Sequence, residues 1–235
     1  MSSRSWSSSA NLMAREISAR ATEAVLEELE VTGEPMVAQA SAADTEDPDA
    51  ADPDHDIVHL ITIGASSAAL RSLMQRHGTA VYRYCRSTLR DNALADDVHQ
   101  QIFIEAYRDL GRFAGRATLR TWLFAIARHR VLDAVKARRR ALVHLEERNT
   151  TNVPDPSPPP GERIDDVRLR EALGACFDEL GEHLRTAVLL RYQQGFTFED
   201  MAVVCGEKPG TLQARVMRAL PKLRACLEAR TRGRL

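Results

Sequence analysis

Apolar residues from the second quarter of the chain onward recur every third or fourth position, the signature of helices buried along one stripe. Leu70, Leu73, Met74, His77, Val81, Tyr84, Cys85 and Leu89 mark a long first helix, and Asp91-Asn92 supplies a break and a cap. A second helix is predicted from about Ala93 to Leu110, with Val98, Ile102, Phe103 and Ala106 inward. Gly111 and Gly115 bracket a turn around Phe113. A third helix then runs from about Thr118 to Leu142, with Leu119, Trp122, Leu123, Ile126, Val131 and Val135 on its core side. Pro154, Pro156, Pro158, Pro159 and Pro160 cannot continue a helix and favour extended conformations, which makes this run a domain boundary. Beyond it the pattern predicts four helices over 164–180, 182–193, 197–205 and 209 to about 230, separated by Gly181, Gly195 and Gly206. No segment reads as strand.

The predicted fold is therefore all-α: two small helical domains over 57–145 and 163–230, a Pro-rich linker over 146–162, and an extension over 1–56. Within that extension, Ile17, Ala21, Ala24, Val25 and Leu29 fit a short amphipathic helix over 15–31. From Gly33 to Asp56 almost no large apolar residue occurs, so the segment is expected to be a disordered acidic leader. Ordered structure is expected to begin near Ile57.

Charge sharpens the division. The formal net charge of −1 hides two opposite parts, because residues 1–56 hold thirteen carboxylates against three arginines. The folded part is basic, which favours a polyanionic partner. Cys85, Cys176, Cys205 and Cys226 show no CxxC or His-rich spacing, so neither a zinc site nor a disulfide framework is indicated and the thiols are expected to be free. No apolar run approaches the roughly 20 residues needed to cross a bilayer, and the start lacks the apolar core of a secretory signal. A cytoplasmic protein without membrane insertion is expected.

Two segments carry chemistry. In the C-terminal part, Thr197 caps a helix with Met201, Ala202 and Cys205 inward, Gly206 turns the chain, and Pro209 opens a helix with Leu212 and Val216 facing back. This is the spacing of a helix-turn-helix, whose second helix enters the major groove. An ordinary helical hairpin shares the glycine and the apolar spacing. The face of the second helix favours DNA: Gln213, Arg215, Met217 and Arg218 lie on it, with Lys208 at its start and Lys222 and Arg224 beyond.

Upstream, residues 112–140 hold nine Lys or Arg against one carboxylate, Asp133, with Phe113, Trp122 and Phe124 interleaved. Positive charge tracks a phosphate backbone and rings receive unstacked bases, so the combination suits melting DNA. Trp122 also fits a core position, which leaves Phe113, on its Gly-flanked turn, as the stronger base contact. The helix before carries Asp96, Asp97, Gln100 and Gln101 away from Ile102 and Phe103. Adjacent helical side chains diverge by about 100°, so Asp96 and Asp97 make a poor chelate, and no metal or other cofactor is expected. No phosphate-binding loop and no nucleophile-base set is visible, so the chain is not expected to be an enzyme.

At these residues the chain resembles the extracytoplasmic-function (ECF) group of bacterial sigma factors, over about Ser66 to Leu227 and in the same order. The resemblance implies that the chain binds RNA polymerase core and directs promoter recognition, DNA melting and transcription initiation. It implies that Asp97, Gln100, Gln101 and Phe103 contact the clamp helices of the polymerase β′ subunit. It places Arg112, Phe113, Arg116, Arg120, Trp122, Arg128, His129 and Arg130 at the minus-ten element, with Phe113 handling an extruded base. It places Lys208, Thr211, Gln213, Ala214, Arg215, Met217 and Arg218 at the minus-thirty-five element, on a domain seated against the β flap. An anti-sigma protein is a further partner implied by resemblance alone. Gln101 stands where an acidic residue is common, His129 where Asn is frequent, Ala214 where Ser is frequent, and Leu220 replaces the last Arg of a frequent Arg-Ala-Arg. These departures bear on which promoter is read. A stand-alone helix-turn-helix regulator is the rival reading, and it would need a ligand pocket or a symmetric dimer. An all-helical enzyme with an appended DNA-binding domain is a second rival, whose one close His/Asp cluster is His55-Asp56 and His59. The acidic segment 34–56 is expected either to fold back over 112–140 and screen nonspecific DNA, or to act as a solubilising tail.

Overall fold

A computed structural model describes residues 53–146 and 164–232. The expected helix over 15–31, most of the acidic leader and the Pro-rich run lie outside the described residues. Within them every regular element is helical: α1 (His55–Thr62), α2 (Ser66–Leu89), α3 (Asn92–Asp109), a 3-10 turn (Leu110–Arg112), α4 (Leu119–Glu146), α5 (Ile164–Glu179), α6 (Glu182–Val188) running into a π-helical turn (Leu189–Gln193), α7 (Phe198–Cys205) and α8 (Pro209–Arg232).

The first surprise is at the N-terminal boundary. Structure begins before Ile57, and Asp54 belongs to the fold rather than to a leader: its carboxylate is buried and accepts from His77 Nε2 at 2.9 and 3.0 Å and from Arg76 Nη1 at 3.1 Å. Arg76 also grips Asp56 through both terminal nitrogens at 2.7 and 2.8 Å. That grip pulls the Asp56 carboxyl down to about 2. These contacts staple α1 to α2 while Ile57 fills the core beneath them.

Helix ends follow the predicted chemistry. Asp91 caps α3 by accepting from Leu94 N at 3.0 Å, Thr118 accepts from Thr121 N at 3.1 Å at the start of α4, and Thr197 caps α7 by accepting from Asp200 N at 3.1 Å. Gly206 closes α7 in the left-handed region at φ +66°, as the turn of the helix-turn-helix requires. α2 ends on Arg90 at φ +52°, a strained position for a non-glycine residue. Its guanidinium ion-pairs with Asp178 at 2.8 Å and lies over Gly174, where a Cβ would come within 2.7 Å of it.

The two predicted domains share one core. The larger apolar cluster runs from Ile57, Leu73 and Val81 through Ile102, Leu119 and Leu123 into Ala187, Leu190, Phe196, Met201, Leu212 and Val216. A smaller cluster of Leu173, Cys176, Leu180, Val188, Ala219, Leu223 and Leu227 ties α5, α6 and α8 together. The modules are thus packed on each other, where the Pro-rich run had suggested two domains joined by a linker. Helix α4 explains this, because it buries two stripes. Leu119, Leu123 and Val131 are buried as predicted, while Phe124, which the prediction left out of the core and which shares a helix face with Ala127 and Val131, is fully buried against Phe196 at a ring separation of 5.0 Å. Trp122, Ile126 and Val135, expected in the core, are only half-buried.

One cysteine expectation is overturned. Cys176 in α5 and Cys226 in α8 form a disulfide across the smaller cluster, which tethers the C-terminal half of the last helix. Cys85 and Cys205 are free thiols, and burial pushes Cys85 up to about 12.

Candidate nucleic-acid interface

Helix α3 presents a continuous exposed stripe. Asp97, Gln100 and Gln101 are exposed as predicted, and Ile104 and Tyr107 extend the same face at helical spacing. Phe103 does not belong to it: it is 4% exposed and packs edge-on to His99 at 5.0 Å, so it supports the surface from beneath. Ile104 and Tyr107 were missed, although large apolar residues continuing a polar stripe are a readable signal. Asp96 points toward Tyr82; burial, with Asp96 beside it, raises the phenol. His99 is wedged between Tyr82 and Phe103 and donates from Nε2 to Gly78 O at 3.1 Å, and this burial depresses its basicity.

The predicted minus-ten residues divide into two groups. Phe113 leaves the 3-10 turn half-buried and meets Trp122 edge-on at 5.5 Å, and Gly115, at φ +64°, carries the chain on to exposed Arg116. Arg112 is exposed and pairs with Asp109 at 3.2 Å. His129 is exposed 3.3 Å from Asp133, and Arg130 bonds Glu105. This group forms an open surface along one side of the turn and α4, continued by Lys136, Arg139 and Arg140 in a shallow groove.

Arg120 and Arg128 are on a different face, four-residue steps from Phe124, and point into the C-terminal module. Arg120 donates to Gln194 O and lies 4.2 Å from the ring centre of Phe196. The π-helical turn makes this possible, since it swings the chain so that Phe196 N reaches Leu190 O and Gln194 turns its carbonyl outward. Arg128 lies 3.8 Å from Glu207.

The helix-turn-helix has the predicted exposure. Lys208, Thr211, Gln213, Ala214, Met217 and Arg218 are exposed, and Leu212, Val216 and Ala219 are buried behind them. Met217 is 61% exposed, an unusual amount for a large apolar side chain, on the face proposed to read base edges. Arg215 alone is withdrawn: its two terminal nitrogens grip Glu207 at 2.7 and 2.5 Å. That bond, with the charges of Arg215 and Arg128, holds the Glu207 carboxyl below the usual range.

Residues 73–141 match the sigma-70 region 2 family and residues 170–223 match sigma-70 region 4. The ECF RNA polymerase sigma factor SigC of Mycobacterium tuberculosis is 30% identical over 184 residues, covering 74% of this chain and 94% of that protein. The chain belongs to the ECF sigma factors. A second relative, ECF sigma factor SigE of Mycolicibacterium smegmatis, is 30% identical over 152 residues, covering 65% of this chain and 59% of that protein. The solved structure of CnrH in complex with the cytosolic domain of CnrY superposes with a TM-score of 0.54 at 25% identity, over 74% of this chain and 99% of that one. As an ECF sigma factor the chain binds RNA polymerase core and promoter DNA and directs transcription initiation at specific promoters. The region 2 match spans most of α2 through α4 and leaves α1 with its Asp54 staple outside, whereas the region 4 match takes in the whole helix-turn-helix. No described helix is long and apolar enough to cross a membrane.

Proposed function

We propose that the three exposed surfaces divide the work of initiation. The α3 stripe of Asp97, Gln100 and Gln101, completed by Ile104 and Tyr107, docks on the polymerase β′ clamp helices. The turn carrying Phe113, with Arg112, Arg116, Trp122, His129 and Arg130, engages the minus-ten element and receives the unstacked base. The α8 face of Lys208, Thr211, Gln213, Ala214, Met217 and Arg218 reads the minus-thirty-five element while its module sits against the β flap. Residues 53–145 and 163–230 are the working boundaries of the two modules. The observation that carries this reading is the α8 face, with polar and basic side chains outward and Leu212, Val216 and Ala219 sealed beneath.

Melting needs no covalent chemistry on this reading. Binding energy, gained when a base leaves the stack for Phe113 and Trp122, opens the duplex, so the protein is not an enzyme. It works in the cytoplasm, where polymerase is. An anti-sigma protein is a natural regulator, given that the similar sigma factor RpoE of Bartonella quintana has been solved in complex with the anti-sigma factor NepR.

Run-off transcription with purified polymerase core on fragmented genomic DNA tests the proposal. New start sites are expected only when the chain is added. Tyr107→Ala is expected to weaken co-migration with core, and Phe113→Ala is expected to leave co-migration intact while reducing open complexes. Start sites that do not depend on the chain would refute it.

A further inference from the structure

We infer that Cys176 and Cys226 form a reversible thiol–disulfide exchange site, through which a dithiol protein of the cytoplasm sets how firmly the recognition helix is backed. The inference rests on the cytoplasmic, promoter-reading assignment above. The bond joins the last turn of α5 to α8 two turns before its end, and Cys226 lies past residue 223, where the region 4 match stops. It therefore reaches outside the matched family segment. In an oxidising compartment such a bond is a permanent staple. In the cytoplasm thiol reductants keep most cysteines open, and the disulfides that do form there are transient ones with catalytic or sensing roles.

The two sulfurs are unequal. Cys176 is 1% exposed inside the smaller cluster, whereas Cys226 is half-buried at its rim. An incoming thiolate attacks Cys226 Sγ, the more accessible sulfur. A mixed disulfide forms there, the Cys176–Cys226 bond breaks, and Cys176 leaves as a thiolate that takes up a proton. The partner's second thiol then attacks its own sulfur in the mixed disulfide and releases Cys226, so the partner departs as a disulfide and two electrons have passed to this chain. The reverse exchange, from the partner's disulfide form, closes the bond again. Reclosure needs no search, because the Cα atoms stand 5.7 Å apart and Leu173, Leu180, Leu223, Leu227 and the Arg230–Glu179 ion pair at 2.6 Å hold the helices together. Lys222 and Arg230, four positions to either side of Cys226, favour the approach of an anionic thiolate.

The bond matters because the cluster it crosses is small. Seven buried residues make it up, Cys176 among them, and small cores lean on covalent ties. The first half of α8 rests on the larger core through Leu212 and Val216, and the second half rests on the smaller cluster through Ala219, Leu223 and Leu227. Between the halves stands Pro221, which removes the backbone hydrogen bond to Met217 O and leaves α8 weakest just beyond the base-reading face. The disulfide fixes the segment on the far side of that proline. Opening it loosens α5 and the end of α8, and the recognition helix loses part of its backing. Oxidation thus sharpens reading of the minus-thirty-five element and reduction blunts it. Cys85 and Cys205 are free and packed with the larger core, so the exchange is confined to this pair.

Trapping on the full chain, oxidised with glutathione disulfide, tests the site. The probe is a thioredoxin variant that lacks its resolving cysteine, and the product is mapped by mass spectrometry. A mixed disulfide at Cys226 is expected, and one at Cys176, or none, overturns the site. With intact thioredoxin, its reductase and NADPH, one NADPH per chain is expected to be consumed while the thiols alkylated in denaturant rise from two to four. Hydrogen–deuterium exchange then compares the two forms. Reduction is expected to speed exchange about tenfold in α5 and over 222–230, and about threefold over 211–218, with α2 and α3 unchanged. Equal protection in both forms refutes the coupling to the recognition helix. The double variant Cys176→Ala, Cys226→Ala is expected to match the reduced form under either condition, which separates the bond from the reagents. Run-off transcription with polymerase core distinguishes this inference from the assignment beneath it. About fivefold fewer transcripts are expected from the reduced chain than from the oxidised one. Equal transcripts from both forms sink the coupling alone, whereas none from either sinks the promoter assignment and leaves the exchange site to its trapping and NADPH readouts.

Discussion

Replacing Asp54 by alanine is expected to cost the fold far more than any other change among its acidic neighbours. The side chain is 1% exposed and holds His77, itself 8% exposed, through both carboxylate oxygens, with Arg76 on one of them. Removing it strands a buried ring nitrogen, and losing a hydrogen bond to a charged group costs about 3 kcal/mol at a site where water does not replace it. For an ordered body of this size each kcal/mol moves the melting midpoint by about 2–4 °C, so Asp54→Ala is expected to melt about 6–12 °C below wild type. Asp56→Ala removes an exposed partner of Arg76 and is expected to move the midpoint little. The same argument fixes where the chain can be cut: deleting residues 1–52 leaves the staple intact, and deleting 1–56 destroys it. Thermal unfolding followed by far-ultraviolet circular dichroism on the wild type and these four variants checks this. The reasoning is refuted if Asp54→Ala melts within about 2 °C of wild type, a shift too small for a buried staple. It is equally refuted if the shorter deletion destabilises as much as the longer one. A leader-deletion study of nonspecific DNA binding therefore has to stop at residue 52, or loss of fold will pass for loss of screening.

Further outcomes follow from other parts of the structure. The Cys176–Cys226 disulfide closes a separation of 50 residues, for which chain-entropy arguments give about 4 kcal/mol, so Cys176→Ser, or full reduction, is expected to lower the urea midpoint substantially. Equal midpoints with and without reductant would mean the bond contributes nothing. Burial depresses His99, which makes folding prefer the neutral ring. Its contribution is complete above the ordinary histidine value of 6.5 and is lost as pH falls below that value and through the depressed one, so stability should decline on the acid side and His99→Gln should flatten the decline. Unfolding midpoints measured across that range decide it. Exchanging Met217 for alanine on the exposed face of α8 is expected to change which upstream sequences are selected more than it changes stability, as read by selection from a random duplex pool and by melting.

What the sequence made legible, and what it hid, follows from the range of the signals. Helix limits and caps are local: Asp91, Thr197, Gly206 and Pro209 act on backbone groups two to four residues away, and their predicted roles match the structure. Partners across the chain leave no such trace. Asp54 reads as one more carboxylate in an acidic run, because the histidine that buries it is 23 positions downstream. Cys176 and Cys226 carry no spacing cue, and four cysteines admit several pairings as readily as none. Phe124 is the instructive case. Among lysines and arginines it reads as a ring offered to bases, yet it shares a helix face with Ala127 and Val131 and is fully buried. Because it stands about 100° around the helix from buried Leu123, a second face of the helix must be covered, either by nucleic acid or by protein. Arg120 and Arg128, one turn to either side of it, share that ambiguity, since a guanidinium suits a backbone carbonyl or a carboxylate as well as a phosphate. In the structure the protein itself supplies those acceptors, at Gln194 O and Glu207. The residue types that suit a DNA contact are thus also those that suit a contact within the protein, and at Arg120 and Arg128 the structure shows the second.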